Sequence, residues 1–353
     1  MPLKVRSKLQ DYEVIVQLDD AFVGDLSRIE NGVFVVDENV WRLHQAVALR
    51  RMPAVDPIIL PIKEEGKVFS TVEKIYDELI KRSAKKNMTL IAIGGGILQD
   101  IVGFAASTLY RGVDWIFVPT TLLAQADSCI GGKTSLNYKN YKNLVGTFYP
   151  PGSVHIYPAF LKTLSEQDYY SGVGEMVKLH MISGEKAVHE MIDNLKEIEA
   201  RDATSLLKLI NASLLVKKGF IEEDEFDAGR RNILNFGHCF GHAIESATDY
   251  QVPHGQAVLL GIWLANIVSS TRGWLAEKTA IALQENMIAP LIKVKLDDGL
   301  DKVRIIAAMK MDKKRTNQNL AIVLMKDNYE FVRVNDLTPR EAEAAIERLN
   351  RGR

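Results

Sequence analysis

The chain of 353 residues is short of cysteine, of net charge and of long apolar runs. Its two cysteines, Cys129 and Cys239, form neither a close pair nor a repeating framework, which excludes a disulfide-stapled scaffold and fits a reducing, cytoplasmic setting. Lysine and arginine number 44 against 45 aspartates and glutamates, a formal charge of -1, so there is no basic excess to hold a nucleic acid. Local basic clusters still suit a small anion. The apolar stretches LIAIGGGI and IIAAM are too short to cross a bilayer and read as core segments. The N-terminal run MPLKVRSKLQDYEVIVQLDD alternates charge with apolarity and carries no signal-peptide h-region. What is present is the balance of a soluble globular protein, 47% hydrophobic and 25% charged. The length suffices for two domains whose cores need no covalent staple.

The first part alternates strand with helix. GVFVVDE reads as a buried strand ending in a polar loop, and WRLHQAVALRRM as the helix after it. DPIILPI, MTLIAIGGG and DWIFVPT read as further strands, with STVEKIYDELIKRSA an amphipathic helix between the first two. Apolar β-rich runs separated by helices predict a mostly parallel sheet covered on both faces. Beyond about Pro150 the pattern turns helical, over residues 167–194, 204–220, 231–248 and 253–270, then 277–285 and 302–310. NLAIVLMKDNYEFVRV reads as a late hairpin, and TPREAEAAIERL as a capped terminal helix. The expected organisation is α/β: a Rossmann-like nucleotide-binding domain over residues 1–153, followed by a mainly α-helical metal and substrate domain over 154–353.

Gly94, Gly95 and Gly96 follow the strand LIAI and precede a helix-forming segment, so phosphate could approach a backbone without Cβ atoms and meet helix N-terminal amides. The run is not GxGxxG, and taken alone an ordinary glycine turn competes equally with a dinucleotide site. Asp37 at a strand end could accept ribose hydroxyls. Glu64 and Lys67 of EEGK offer a second wall; solvated loop charges are the plain alternative for all three. Thr120 and Thr121 follow a strand, while Asp127, Lys133, Lys142 and Asn143 read as loop residues able to hold phosphate and sugar hydroxyls. Tyr138, Tyr141 and Tyr149 lack the basic stripe of a nucleic-acid platform.

Three of the seven histidines, His238, His242 and His254, fall within NFGHCFGHAIESATDYQVPHG. If residues 231–247 form one helix, His238 and His242 share a face at i,i+4, and His254 closes the cluster after a turn at Pro253. Glu175 in GVGEMVKLHM is the best carboxylate partner, with Lys178 at i,i+3 reaching an anionic substrate. A surface ion pair is the plain alternative for those two. Two histidines and a glutamate would leave a coordination position open, as catalytic zinc sites do. Spacing does not say which of the three histidines is the non-ligand. Arg231 and Asn235, one turn apart ahead of His238, could clamp a carboxylate and orient a hydroxyl, with Lys217 joining the clamp.

Taken together, EEGK, GGGILQDIVGFAASTLYRG, VPTTLLAQADSCIGGKTSLN, KNLVGTFY, GEMVK, RRNILNFGHCFGHAIE, VPHG and MDKK resemble the 3-dehydroquinate synthase family of the sugar phosphate cyclases, over nearly the full chain. The resemblance implies Glu175, His238 and His254 as ligands of a divalent metal, zinc or cobalt, with His242 handling substrate and protons. It places Asp37, Glu64, Lys67, Gly95, Gly96, Asp100, Thr120 and Thr121 around NAD. It maps Arg111, Asp127, Lys133, Asn143, Lys178, Lys217, Arg231 and Asn235 to the substrate pocket, with Lys142 in the same loop and Lys313 or Lys314 facing phosphate. Gln256 departs from the glutamate common after HG, which would remove a charge near the metal; Phe236 and Cys239 are milder departures.

The implied reaction is conversion of 3-deoxy-D-arabino-heptulosonate 7-phosphate to 3-dehydroquinate. Transient oxidation by NAD, phosphate elimination, re-reduction, ring opening and aldol closure consume no NAD overall. Related cyclases acting on sedoheptulose 7-phosphate, glucose 6-phosphate or an amino-substituted heptulosonate are the nearest alternatives. Lys217 and Arg231 favour an acidic phosphorylated sugar over the first two, because burying that cationic pair without an anion is unfavourable. A metal-dependent polyol dehydrogenase would accumulate reduced nicotinamide, and a noncatalytic nucleotide-binding or anion-binding module would release no phosphate. The resemblance also implies a homodimer in which Arg111 reaches a neighbouring phosphate pocket, and closure of the two domains over the substrate.

Overall fold

The computed structural model describes residues 2–52, 56–139, 141–296, 299–311 and 320–352. Contacts divide the chain into two compact units, Met1–Leu164 and Ser165–Arg353. The first is α/β and the second helix-rich, as the sequence pattern predicts.

The first unit is built on seven strands, β1 (Leu3–Val5), β2 (Tyr12–Val16), β3 (Gly32–Asp37), β4 (Ile58–Leu60), β5 (Thr89–Gly94), β6 (Asp114–Pro119) and β9 (Ser153–Ile156). Their order across the sheet is β1-β2-β9-β6-β5-β3-β4. Only β1 runs antiparallel to its neighbour; the other pairs are parallel. The central strands are apolar nearly throughout, and Val35, Val36, Leu90, Ile91, Ala92 and Ile93 are all fully buried. Burial on both faces requires such runs, and each large aliphatic side chain contributes roughly 1.5–3 kcal/mol. Helices α1 (Ala21–Leu26), α2 (Glu38–His44), α3 (Phe69–Lys81) and α4 (Gly96–Thr108) complete the layers. The β9 strand pairs with β2 and β6, so the chain past residue 153 still contributes to the first sheet.

A separate two-stranded ribbon, β7 (Lys133–Tyr138) against β8 (Tyr141–Phe148), occupies the stretch expected as loops. Its sequence carries little apolar alternation, and its order comes from contacts to other parts of the unit, described below.

His155 on β9 illustrates how this unit handles a titratable group. Its ring stacks on Phe22 with centroids 5.8 Å apart. Gln17 Nε2 donates to its Nδ1 at 2.9 Å, so Nε2 carries the proton and donates to Ser153 Oγ at 3.0 Å. Burial lowers its pKa from 6.5 to about 4. Between those values the unfolded chain binds a proton that the folded chain refuses. This contribution is therefore complete above the unfolded pKa and lost as pH falls through the folded one. Urea unfolding at about pH 7 and about pH 4.5 should show wild type losing on the order of 2 kcal/mol more than His155→Gln. Equal losses would sink the assignment.

The second unit contains α5 (Glu166–Ser183), α6 (Glu185–Asp193), α7 (Leu195–Glu199), α8 (Ala203–Glu223), α9 (His238–Ala247), α10 (His254–Thr271), α11 (Glu277–Leu283), α12 (Ala289–Leu291), α13 (Lys302–Met311) and α14 (Pro339–Arg351). The expected late hairpin is present as β10 (Leu320–Met325) and β11 (Phe331–Leu337). Thr338 and Glu341 close a reciprocal capping box on α14. The interior of this unit is α10, which is buried without interruption from Gly255 to Ser269, and the similarly buried stretch of α5 from Tyr169 to Met181. A helix as apolar all round as α10 can only sit inside others.

Candidate metal centre and nucleotide edge

In the second unit the ligand geometry follows from how α5, α9 and α10 approach one another. A Cβ on Gly255 would lie 1.7 Å from the Ser171 carbonyl oxygen, and one on Gly174 would lie 2.1 Å from the Gly255 carbonyl oxygen. The two helices therefore cross in backbone contact at the residues adjoining His254 and Glu175. The Gly255 amide donates to Ser171 Oγ at 2.9 Å, which pins the first turn of α10 to α5.

Glu175, only 1% exposed, places Oε1 3.1 Å from His254 Nε2 and 3.5 Å from His238 Nε2. These three residues can each offer one ligand atom, all within 4.8 Å of one another. The second ring nitrogens are tied outward: His238 Nδ1 sits 3.2 Å from the Phe236 carbonyl oxygen and His254 Nδ1 3.0 Å from Glu245 Oε2. Both acceptors take a hydrogen bond from Nδ1 and turn Nε2 toward Glu175 Oε1, so Nε2 is the ring nitrogen each histidine can offer a metal. Burial, and then the Lys178 charge, hold His238 well below its ordinary pKa. Burial acts in the same direction on His254, but hydrogen bonds and charge from Glu175 and Glu245 push it up to about 10. One neutral imidazole and a neighbouring position that favours positive charge fit a divalent cation held by two nitrogens and a carboxylate.

Lys178 is 3% exposed and its Nζ bonds Glu175 Oε2, so this is a buried pair rather than a surface one. His242 is exposed beside the triad, its ring centroid 5.2 Å from that of His238 and 5.9 Å from that of His254. With Glu245 and His254 it forms a second group of possible ligands. Glu245 was not singled out from the sequence; its place three residues after His242 was the available signal.

The expectation of one helix over residues 231–247 is corrected. Arg230–Asn235 is a 3-10 turn, Gly237 takes φ of +79°, and α9 begins at His238. That left-handed glycine redirects the chain, so Arg231 and Asn235 do not continue the face of His238 and His242. Arg231, 3% exposed, has its amide bonded to Asp224 Oδ2 at 3.0 Å and its guanidinium donating to the Glu225 carbonyl. Lys217 is buried on α8. Gln256 does not mark a missing charge at the metal. Its Nε2 donates to the carbonyls of Tyr170 and Leu291, at 3.2 and 3.1 Å, and its Oε1 accepts from the Lys293 amide at 2.6 Å. An amide supplies both donors and the acceptor; a carboxylate would face two carbonyls with no proton to give.

In the first unit, the C-terminal ends of β3, β5 and β6 lie side by side and bring Asp37, Gly94–Gly96 and Thr120–Thr121 to one edge. Ligands of open α/β sheets bind at this edge. Gly95 caps α4 in extended conformation, and a Cβ there would lie 2.9 Å from Thr121 Cγ2. The helix start at Gly96 offers amide donors to an anion. Asp37 accepts from the Asn39 amide at 2.8 Å; burial raises its pKa against that bond. Lys67, 4% exposed, bonds Asp100 Oδ2 at 2.7 Å. Burial raises the pKa of Asp100 despite Lys67 and Ser135. Glu64 lies in the 3-10 turn Glu64–Gly66.

Asp127 is buried in the π-helical turn Ala124–Ser128. Lys133, Lys142 and Asn143 belong to the β7–β8 ribbon rather than to loops, with Lys133 and Lys142 exposed. Arg111 is exposed, with φ of +65° just after α4. Lys313 and Lys314 lie outside the described residues.

Residues 57–171 match the 3-dehydroquinate synthase N-terminal family and residues 172–315 the 3-dehydroquinate synthase C-terminal family. The 3-dehydroquinate synthase of Clostridium tetani is 41% identical over 298 residues, covering 83% of this chain and 79% of that one. That of Dictyoglomus turgidum is 38% identical over 291 residues, covering 82% and 81%. Among solved structures, a 2-epi-5-epi-valiolone synthase from Streptomyces hygroscopicus subsp. jinggangensis, with NAD+ and Zn2+ bound, superposes with a TM-score of 0.86 at 26% identity, covering 99% of each chain. An iron-containing alcohol dehydrogenase from Thermotoga maritima shares the fold at a TM-score of 0.62 and 14% identity, covering 96% of this chain and 98% of that one. With both halves of the chain matched in sequence and the ligand triad assembled on crossing helices, this chain belongs to the 3-dehydroquinate synthase family.

Proposed function

We propose that this protein converts 3-deoxy-D-arabino-heptulosonate 7-phosphate to 3-dehydroquinate and inorganic phosphate, as an NAD- and metal-dependent cyclase. The observation that carries the reading is the triad of buried Glu175 with the partly exposed His238 and His254, beside Lys178, in a chain 41% identical to a 3-dehydroquinate synthase. When bound, NAD supplies a reversible hydride acceptor and the divalent ion, zinc or cobalt, a charge that polarises substrate oxygens.

The chain's own residues hold the reactants and move protons. Glu175, His238 and His254 hold the ion. Lys178, kept in place by Glu175, presents a fixed ammonium to oxygens on the substrate ring. His242, the exposed member of the histidine cluster, accepts and returns protons on the substrate. Arg231 and Lys217 hold the substrate carboxylate, and Asn235 orients a hydroxyl. Asp127, Lys133, Lys142, Asn143 and Arg111 serve the substrate, the cations and the amide at its phosphate end. Asp37, Glu64, Lys67, Gly95, Gly96, Asp100, Thr120 and Thr121 hold the dinucleotide. The protein acts as a cytoplasmic homodimer, with Arg111 reaching the partner's phosphate site. No helix among the described residues is long and apolar enough to cross a membrane.

Purified protein given NAD, a divalent metal and the heptulosonate phosphate should release one phosphate per substrate with no net reduced nicotinamide. Reduced nicotinamide accumulating from a polyol, or no phosphate released by folded, loaded protein, would overturn the reading.

A further inference from the structure

We infer that Asn137 is a positioning residue that couples the dinucleotide loop to the phosphate-end ribbon, resting on the assignment of Glu64 to NAD and Asn143 to substrate. Its surroundings are unusual for a ribbon residue. In the β7–β8 ladder Leu136 pairs with Val145 and Tyr138 with Tyr141, so residues 142–144 bulge opposite Asn137 alone. Lys142 and Asn143 sit on that bulge, and Asn143 takes φ of +52°, the left-handed region. A bulged amide loses its ladder partner. Here the Asn143 amide donates instead to Asn137 Oδ1 at 2.9 Å.

The other half of the same side chain points at the EEGK turn. Asn137 Nδ2 lies 3.1 Å from the Glu64 carbonyl oxygen and 2.9 Å from Glu64 Oε1. Its backbone amide donates to the Lys67 carbonyl at 2.7 Å. One 9% exposed amide therefore fixes the Glu64 carboxylate with its donors and the Asn143 backbone with its acceptor. Ser135, on the same strand, closes a parallel link: its Oγ lies 2.9 Å from Asp100 Oδ2 and 3.0 Å from Asn143 Oδ1. Neither Ser135 nor Asn137 touches the reacting atoms in this assignment. They set where groups from sequence-distant loops are held.

The two halves of the amide can be separated experimentally in the full-length, metal-loaded protein. Asn137→Ala should weaken NAD about tenfold in equilibrium titration and raise KM for the heptulosonate phosphate about tenfold. Metal content should not change. Asn137→Asp keeps the acceptor for the Asn143 amide but sets a carboxylate against Glu64, so it should weaken NAD with KM near that of wild type. Added to Glu64→Ala, the alanine change should weaken NAD no further. Unchanged NAD affinity and KM in either folded variant would overturn the coupling, because a merely structural role lowers melting temperature and leaves both constants alone. Glu64→Ala and Asn143→Ala are the controls for the underlying assignment. If neither shifts NAD affinity or KM, that assignment fails and the coupling with it; if they shift and Asn137→Ala does not, only the coupling fails.

Discussion

His254→Ala is expected to abolish stable metal binding and to lower turnover by about a thousandfold or more, roughly 4 kcal/mol of transition-state stabilisation. The imidazole contributes Nε2 3.1 Å from Glu175 Oε1, and no other described side chain in the triad can replace that nitrogen. Its removal also takes a nitrogen partner from the 1% exposed Glu175 and the ring that Glu245 now orients. Metal analysis after gel filtration, together with kcat/KM, measures both effects. Normal metal occupancy with unchanged turnover would remove His254 from the ligand set.

Gly255→Ala is expected to do comparable damage without touching a ligand. The new methyl would fall 1.7 Å from the Ser171 carbonyl oxygen and 2.8 Å from the Ser171 Cα, both part of the α5 main chain. No rotamer relieves a clash between a Cβ and a backbone, so α10 must move away from α5. Overpacking of this kind costs about 1–3 kcal/mol or more. The same displacement separates His254 from Glu175, because each ligand adjoins one of the glycines at the crossing. Chelator competition should show metal affinity falling at least tenfold, along with a lower melting temperature. Gly219→Ala on α8 is the control: a Cβ there meets nothing within 4 Å. Replacing glycine by alanine inside a helix should then stabilise by about 0.5–1 kcal/mol. Wild-type metal affinity in Gly255→Ala would refute the close-crossing account of the site.

Much of the architecture was legible without coordinates. The strands around Val35, Ile91 and Phe117 announce themselves because a parallel sheet covered on both faces needs uninterrupted apolar runs. The box at Thr338 and Glu341 is equally local, since its two hydrogen bonds span only three residues. The sheet strand β2, the closing strand β9 and the β7–β8 ribbon were not legible. Tyr12–Val16 and Ser153–Ile156 carry Glu13 and His155 in place of an unbroken apolar run, and the ribbon carries lysine and asparagine where apolar alternation would be the signal. Its order comes from Asn137, Ser135 and the groups they meet far away in sequence.

By itself the sequence determined a two-part chain, α/β then helical, with an open glycine turn at a strand end and a histidine cluster on a helix. It did so because periodicity, capping and glycine placement act over a few residues. Only the tertiary structure decided which side chains meet. His238 and His242 are equivalent by spacing, and it is the glycine crossing of α5 and α10 that brings His254, rather than His242, against Glu175. Gln256 likewise reads as a lost charge in sequence and is a satisfied amide in the fold, because its partners are the backbones of Tyr170, Leu291 and Lys293. Such contacts join segments far apart in the chain, and no local pattern specifies them.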